Sequence, residues 1–109
     1  MNAQNWDYIE NDFTKPEYYS NILRLIKFIK SSGLSNRVYG VKSLDKLILS
    51  KYNPIDVHKE ALHINFDPIT NKWHFQHYSA PLNDPDFDHK YELHKGIEKF
   101  QEFVKMIKW

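Results

Sequence analysis

Cysteine is absent from this 109-residue chain, which excludes disulfides, thiolate nucleophiles and Cys-ligated zinc. Glycine occurs only three times, too rarely to build a Gly-rich phosphate-cradling loop, and no Walker, GxSxG, HExxH or dinucleotide signature is present. Charge of one sign is not in excess either. Fifteen Lys and Arg stand against 14 Asp and Glu, so no whole-protein field recruits nucleic acid or a membrane surface. Arginine is scarce beside lysine. No apolar run approaches the length of a membrane span, and the opening MNAQNWDYIENDF has neither the basic start nor the apolar stretch of a secretory signal. Those absences point to a cytoplasmic protein. No repeat, low-complexity tract or linker divides the chain, so residues 1–109 read as a single domain.

What is present centres on LHINFDPITNKWHFQHY, residues 62–78, two alternating runs around a turn. Leu62, Ile64 and Phe66 point one way, His63 and Asn65 the other, because strand side chains alternate between faces. Asp67, Pro68 and Asn71 supply the turn chemistry. A turn centred between Ile69 and Thr70 pairs Phe66 with Trp73, Ile64 with Phe75 and Leu62 with His77. A two-stranded ribbon is marginal in water, so its apolar face needs further strands or helices.

Two helices are expected. Thr14-Lys-Pro-Glu17 reads as a capped start, with Pro16 in the first turn and Gly33 as the left-handed stop near residue 33. At 100° per residue, Tyr18, Ile22, Leu25, Ile26 and Ile29 form a central stripe, flanked by Phe28 on one side and by Tyr19 and Leu23 on the other. That arc is wider than one neighbour requires, so the helix is expected on the sheet and covered again by another helix, the N-terminal arm or a partner chain. Ile97, Phe100, Phe103, Val104 and Ile107 mark a second helix over about residues 95–107, with Trp109 opposite its apolar stripe, either tucked under by a frayed last turn or left exposed. Trp6, Tyr8, Ile9 and Phe13 make the first 13 residues too apolar for a disordered tail. Residues 34–51 read either as a short helix capped by Ser43 with Leu44, Leu47 and Ile48 inward, which is preferred, or as a second hairpin ending in LILSK. The expected fold is α+β: a small antiparallel sheet built on the 62–78 hairpin, packed against an N-terminal and a C-terminal helix.

Three features bear on chemistry. The polar hairpin face carries His63, Asn65, His74 and Gln76, with the two histidines diagonal and near enough to share a metal or to act as acid and base in RNA cleavage. Without a third ligand or a nearby carboxylate, a solvated face is the more economical reading, and no metal or cofactor is expected. Asn83-Asp-Pro-Asp-Phe-Asp88 is a proline-stiffened loop without the glycine and terminal glutamate of an EF-hand, so Asp84, Asp86 and Asp88 read either as turn formers or as an acidic ridge for a basic partner. Residues 90–93 either add a short strand or lead into the last helix. Lysines interleave with aromatics along both helices, but Glu92, Glu98 and Glu102 interrupt them, as in an ordinary solvated face rather than a nucleic-acid surface. No nucleophile is paired with a base, so an enzyme is not expected.

In length, in the hairpin INFDPITNKWHFQHY, in the acidic loop and in the ending GIEKFQEFVKMIKW, the chain resembles the small bacterial immunity proteins of polymorphic-toxin and contact-dependent growth inhibition systems. The resemblance is one of type, since these proteins share no signature motif. It implies a monomer or homodimer that neutralises a cognate toxin domain, often a nuclease, by capping its active site. It would place Asp84, Asp86 and Asp88 against basic toxin residues, with Phe87 or Trp109 as anchor. The alternatives are a small RNA-cleaving enzyme or toxin using His63 and His74, and a homodimeric structural or adaptor domain joined through the first helix.

Overall fold

A computed structural model describes residues 2–55, 59–79 and 84–109. It has an α+β architecture: a five-stranded antiparallel sheet with helices on one face. The elements are α1 (Trp6–Asp12), α2 (Ser20–Ser31), β1 (Tyr39–Ser43), β2 (Lys46–Ser50), β3 (Ala61–Asp67), β4 (Lys72–Tyr78), β5 (Phe87–Glu92) and α3 (Gly96–Met106), with single 3-10 turns before α2, before β1 and before α3. Strand order follows chain order, β1-β2-β3-β4-β5. The β3–β4 hairpin has the register its alternation dictates, with Phe66 opposite Trp73, Ile64 opposite Phe75 and Leu62 opposite His77.

That register sorts the side chains. Leu62, Ile64, Phe66, Trp73 and Phe75, with Leu47 and Leu49 of β2, are buried together against the helices. α1 meets β1, α2 meets β3 and α3 meets β5, so the helices form one layer. The wide apolar arc of α2 follows from this arrangement: Ile22, Leu25, Ile26 and Ile29 are buried, Phe28 meets Phe100 of α3 edge-on at 6.5 Å, and the adjoining Tyr19 meets Phe13 beside α1 at 5.0 Å. The helix is flanked on both sides rather than covered a second time. The N-terminal arm supplies one of those flanks, with Asn5 capping α1 and Ile9 and Phe13 fully buried.

Four expectations are corrected. Thr14 does not cap α2; its hydroxyl donates to Asn11 O at 2.7 Å at the end of α1, and α2 begins only at Ser20 after a 3-10 turn over Glu17–Tyr19. Tyr18 consequently leaves the apolar stripe and is exposed. Gly33 does take the left-handed conformation after α2 (φ 85°). Residues 39–50 are a hairpin, not a Ser43-capped helix: Leu47 and Leu49 turn inward, Ile48 turns to the opposite face, and Leu44 sits exposed at the turn with φ 56°. Pairing of β2 with β3, Leu47 opposite Ile64, favours the extended form because each strand satisfies the other's main chain. Finally, the acidic loop gives way to strand early, since β5 starts at Phe87 and runs through Lys90 to Glu92. Asn83 lies outside the described residues.

Candidate functional site

The side of the sheet away from the helices is the candidate site. Strand parity places His63 and Asn65 of β3, His74 and Gln76 of β4, and Asp88 and Lys90 of β5 on this outer face. One end is partly roofed, where Ile55 from the β2–β3 connection packs with Val41, Ile48 and Ala61. Toward β5 and the β3–β4 turn, no described helix lies over it.

His74 and Asp88 form the tightest polar contact there, His74 Nε2 to Asp88 Oδ1 at 2.6 Å, and Gln76 Nε2 donates to the other carboxylate oxygen at 3.3 Å. The hydrogen bond from His74, aided by that from Gln76, holds the Asp88 carboxyl below the usual carboxylate range, so it is a fixed anion. The sequence offers no carboxylate partner for these histidines within the hairpin; β5 brings one by pairing Gln76 with Asp88 and His74 with Lys90. His63 does not join them. Its ring packs on Tyr78 at 4.7 Å, its Nδ1 is buried without a hydrogen-bond partner, and burial followed by repulsion from Lys46 pushes its pKa down to about 4. Among the described residues, no group of three His, Asp or Glu side chains is arranged to hold a metal ion.

Beside His74 the face deepens into a cleft of about 330 Å³ between β3, β4 and β5, Tyr18, and the β1–β2 turn at Asp45. Asn65, Asp67, Lys72 and Lys90 line it. Its two acids are already engaged within the chain. Asp67 accepts from the Ile69 N–H at 2.9 Å and the Thr70 hydroxyl at 3.0 Å, and these hold its pKa low. Asp45 accepts from the Tyr19 hydroxyl. Lys72 and Lys90 make no ion pair among the described residues. Their charges remain available to something that enters the cleft.

The residues expected to meet a partner are dispersed. Asp84 is exposed, whereas Asp86 turns its carboxylate to His77 Nδ1 at 3.0 Å and Asp88 belongs to the outer face, so the aspartates form no single ridge. Phe87 is half-buried against Phe103, with ring centroids 4.7 Å apart. Trp109 is buried: its ring tucks under the sheet end and donates to Glu60 Oε1 at 3.3 Å, which removes it as an exposed anchor.

Glu60 and His77 build a clasp that the sequence does not reveal. His77 lies on the helix face with only 5% exposure, its ring nitrogens 3.0 Å from Asp86 and 3.0 Å from Glu60. Burial pushes the Glu60 carboxyl up, but hydrogen bonds from Trp109, His77 and Lys51 outweigh it and leave the group below its ordinary range. Five separate segments meet at this point. It is structural, because its histidine is closed off from solvent. No family model, curated protein or solved structure matches the chain.

Proposed function

We propose that this protein is a binding inhibitor that neutralises a cognate bacterial toxin, in keeping with the immunity proteins it resembles, and that it does so through the outer sheet face and its cleft. The observation that carries the reading is the mixture of charge on that face. Asp88 is fixed by two hydrogen bonds, Lys90 stands close enough to depress both Asp67 and Asp88, and Lys72, with no ion pair among the described residues, lies nearby. A polyanion such as RNA selects a face of one sign, whereas a protein surface carrying both signs is matched by alternating charges that set register and speed association. Exposed Tyr18 at the rim is the aromatic anchor, in place of the buried Trp109.

The test is growth rescue. Cells producing the variable C-terminal domain of a secreted protein encoded beside this gene should stop growing alone and recover when this chain is co-produced. With the purified pair, replacing Asp88 and Lys90 together by Ala should slow association about tenfold and flatten its salt dependence. Failure to rescue, or an unchanged association rate, defeats the assignment.

One observation favours a second reading, that of an RNA-cleaving enzyme. A histidine oriented by a carboxylate beside a cleft with two lysines that make no ion pair among the described residues is the arrangement of a general acid or base next to an anion site. RNA cleavage with a bell-shaped pH profile, abolished by His74→Ala, would establish it. The inhibitor shows no turnover.

A further inference from the structure

The sheet has two edges, and among the described residues only the β1 edge is closed. At β1 the N-terminal segment docks alongside: Gln4 N donates to Gly40 O at 2.9 Å, and Gln4 Oε1 accepts the Lys42 N–H at 2.9 Å. β5 pairs with β4 alone among the described residues. Among the described residues, alternate N–H and C=O groups along Phe87–Glu92 therefore face outward without a strand partner, a template for another strand. Neither proline nor a bulge interrupts these six residues. Beside the edge on the helix side, Met106 is 61% exposed next to a shallow hollow bounded by Phe87, Tyr91 and Phe103.

We propose that β5 pairs antiparallel with β5 of a second copy of this chain, about a twofold axis through His89. The register follows from parity. Opposed residues in an antiparallel pair share a face, so keeping both helix layers on one side requires the twofold to pass through a residue rather than between two. Centred on His89, Phe87 opposes Tyr91 on the helix face and Asp88 opposes Lys90 on the outer face, each contact occurring twice. Centred on Lys90, that lysine opposes itself and Asp88 opposes Glu92; centred on Asp88, the aspartate opposes itself. Centred on Tyr91, Lys90 opposes Glu92 and the Tyr91 ring opposes itself, but only residues 90–92 then pair within the strand; the His89 register pairs residues 87–91, with opposite charges and aromatic rings set against one another. Asp86, which would oppose Glu92, precedes the strand and is turned to His77. Asp88 keeps accepting capacity beyond its bonds to His74 and Gln76, since an ionised carboxylate offers about four sites. The apolar arc of α2, the other place for self-association, is occupied by α1 and α3 of the same chain. The dimer is a continuous ten-stranded sheet with both outer faces on one side.

Sedimentation over a concentration series tests this without any partner, so its outcome is independent of the inhibitor reading. The wild-type chain should form a dimer. D88K and K90D each set like charges opposite at two places and should be monomeric, while a one-to-one mixture of the two, and the double variant D88K/K90D, should regain the dimer. The chain lacks cysteine, so His89→Cys introduces a single thiol that lies on the twofold and should crosslink to its copy under mild oxidation. That second measurement stands even where a charge variant fails to fold. A wild-type monomer at every concentration, a dimer indifferent to both charge reversals, or no crosslink through His89→Cys in a dimeric sample overturns the proposal.

Discussion

On its helix side the β3–β4 hairpin presents Leu62, Ile64, Trp73 and Phe75 to a closed layer of helices, and on its outer side the same two strands present His63, Asn65, His74 and Gln76. Both sets are positioned by one backbone, yet they are held by different forces. The inner residues stay because apolar area has left water, without regard to partner orientation; the outer ones stay because particular atoms meet, as His74 meets Asp88. The difference teaches where substitution is tolerated. The inner face fixes the fold, and the outer face is free to be chosen for recognition.

Breaking the inner face should cost most. Phe75 is fully buried between Trp73 and Tyr91, so Phe75→Ala should lower unfolding free energy by about 3–5 kcal/mol, measured by urea denaturation. The approach of α3 to the sheet comes next. Gly96 sits on the Trp73 indole, and a Cβ there would lie 2.1 Å from Nε1, the atom that donates to Leu93 O at 3.0 Å. Gly96→Ala should therefore destabilise by about 1–3 kcal/mol and shift Trp73 fluorescence, despite the better helix propensity of alanine. An unshifted emission would mean that α3 moves instead of the ring.

The smallest effect belongs to the outer face and sharpens the contrast through pH. His63 has its pKa depressed from 6.5 to about 4, so the folded protein disfavours its protonation and its contribution, complete above 6.5, is lost as pH falls toward 4. Its unpartnered Nδ1 and its packing on Tyr78 make Phe a fitting replacement. His63→Phe should leave the melting temperature near wild type at neutral pH and reduce its fall between pH 6.5 and 4. Parallel pH profiles for the two proteins would show that His63 does not couple to folding.

Both faces of the β3–β4 hairpin were legible in the sequence, including the outer set His63, Asn65, His74 and Gln76; what β5 adds to the outer face was not. Alternation over 62–78 with Asp-Pro-Ile-Thr-Asn-Lys between the runs specifies a hairpin and its register from local information alone. The β1–β2 hairpin was harder, because its turn is Leu44-Asp45, with leucine in a left-handed conformation that no turn signal marks, and because its extended form depends on pairing with β3. The α1 helix is seven residues long, too short for a periodic pattern to show. The site depended on contacts remote in sequence. Asp88 meets His74 only because β5 adds to β4, and the Asp- and Pro-rich composition of 83–88 marks a loop without showing that pairing or the turning of Asp86 toward His77. A helical wheel cannot place Trp109, because Lys108 before it leaves helical geometry (φ 59°).

Because strand order matches chain order, the sheet needs no crossover, and every strand can join its predecessor as soon as it emerges from the ribosome. The Glu60–Trp109 bond spans 49 residues and cannot form in that way. Closing that loop costs more chain entropy than any hairpin of the sheet, so the clasp is the long-range contact that ties the chain's last residue to the strands.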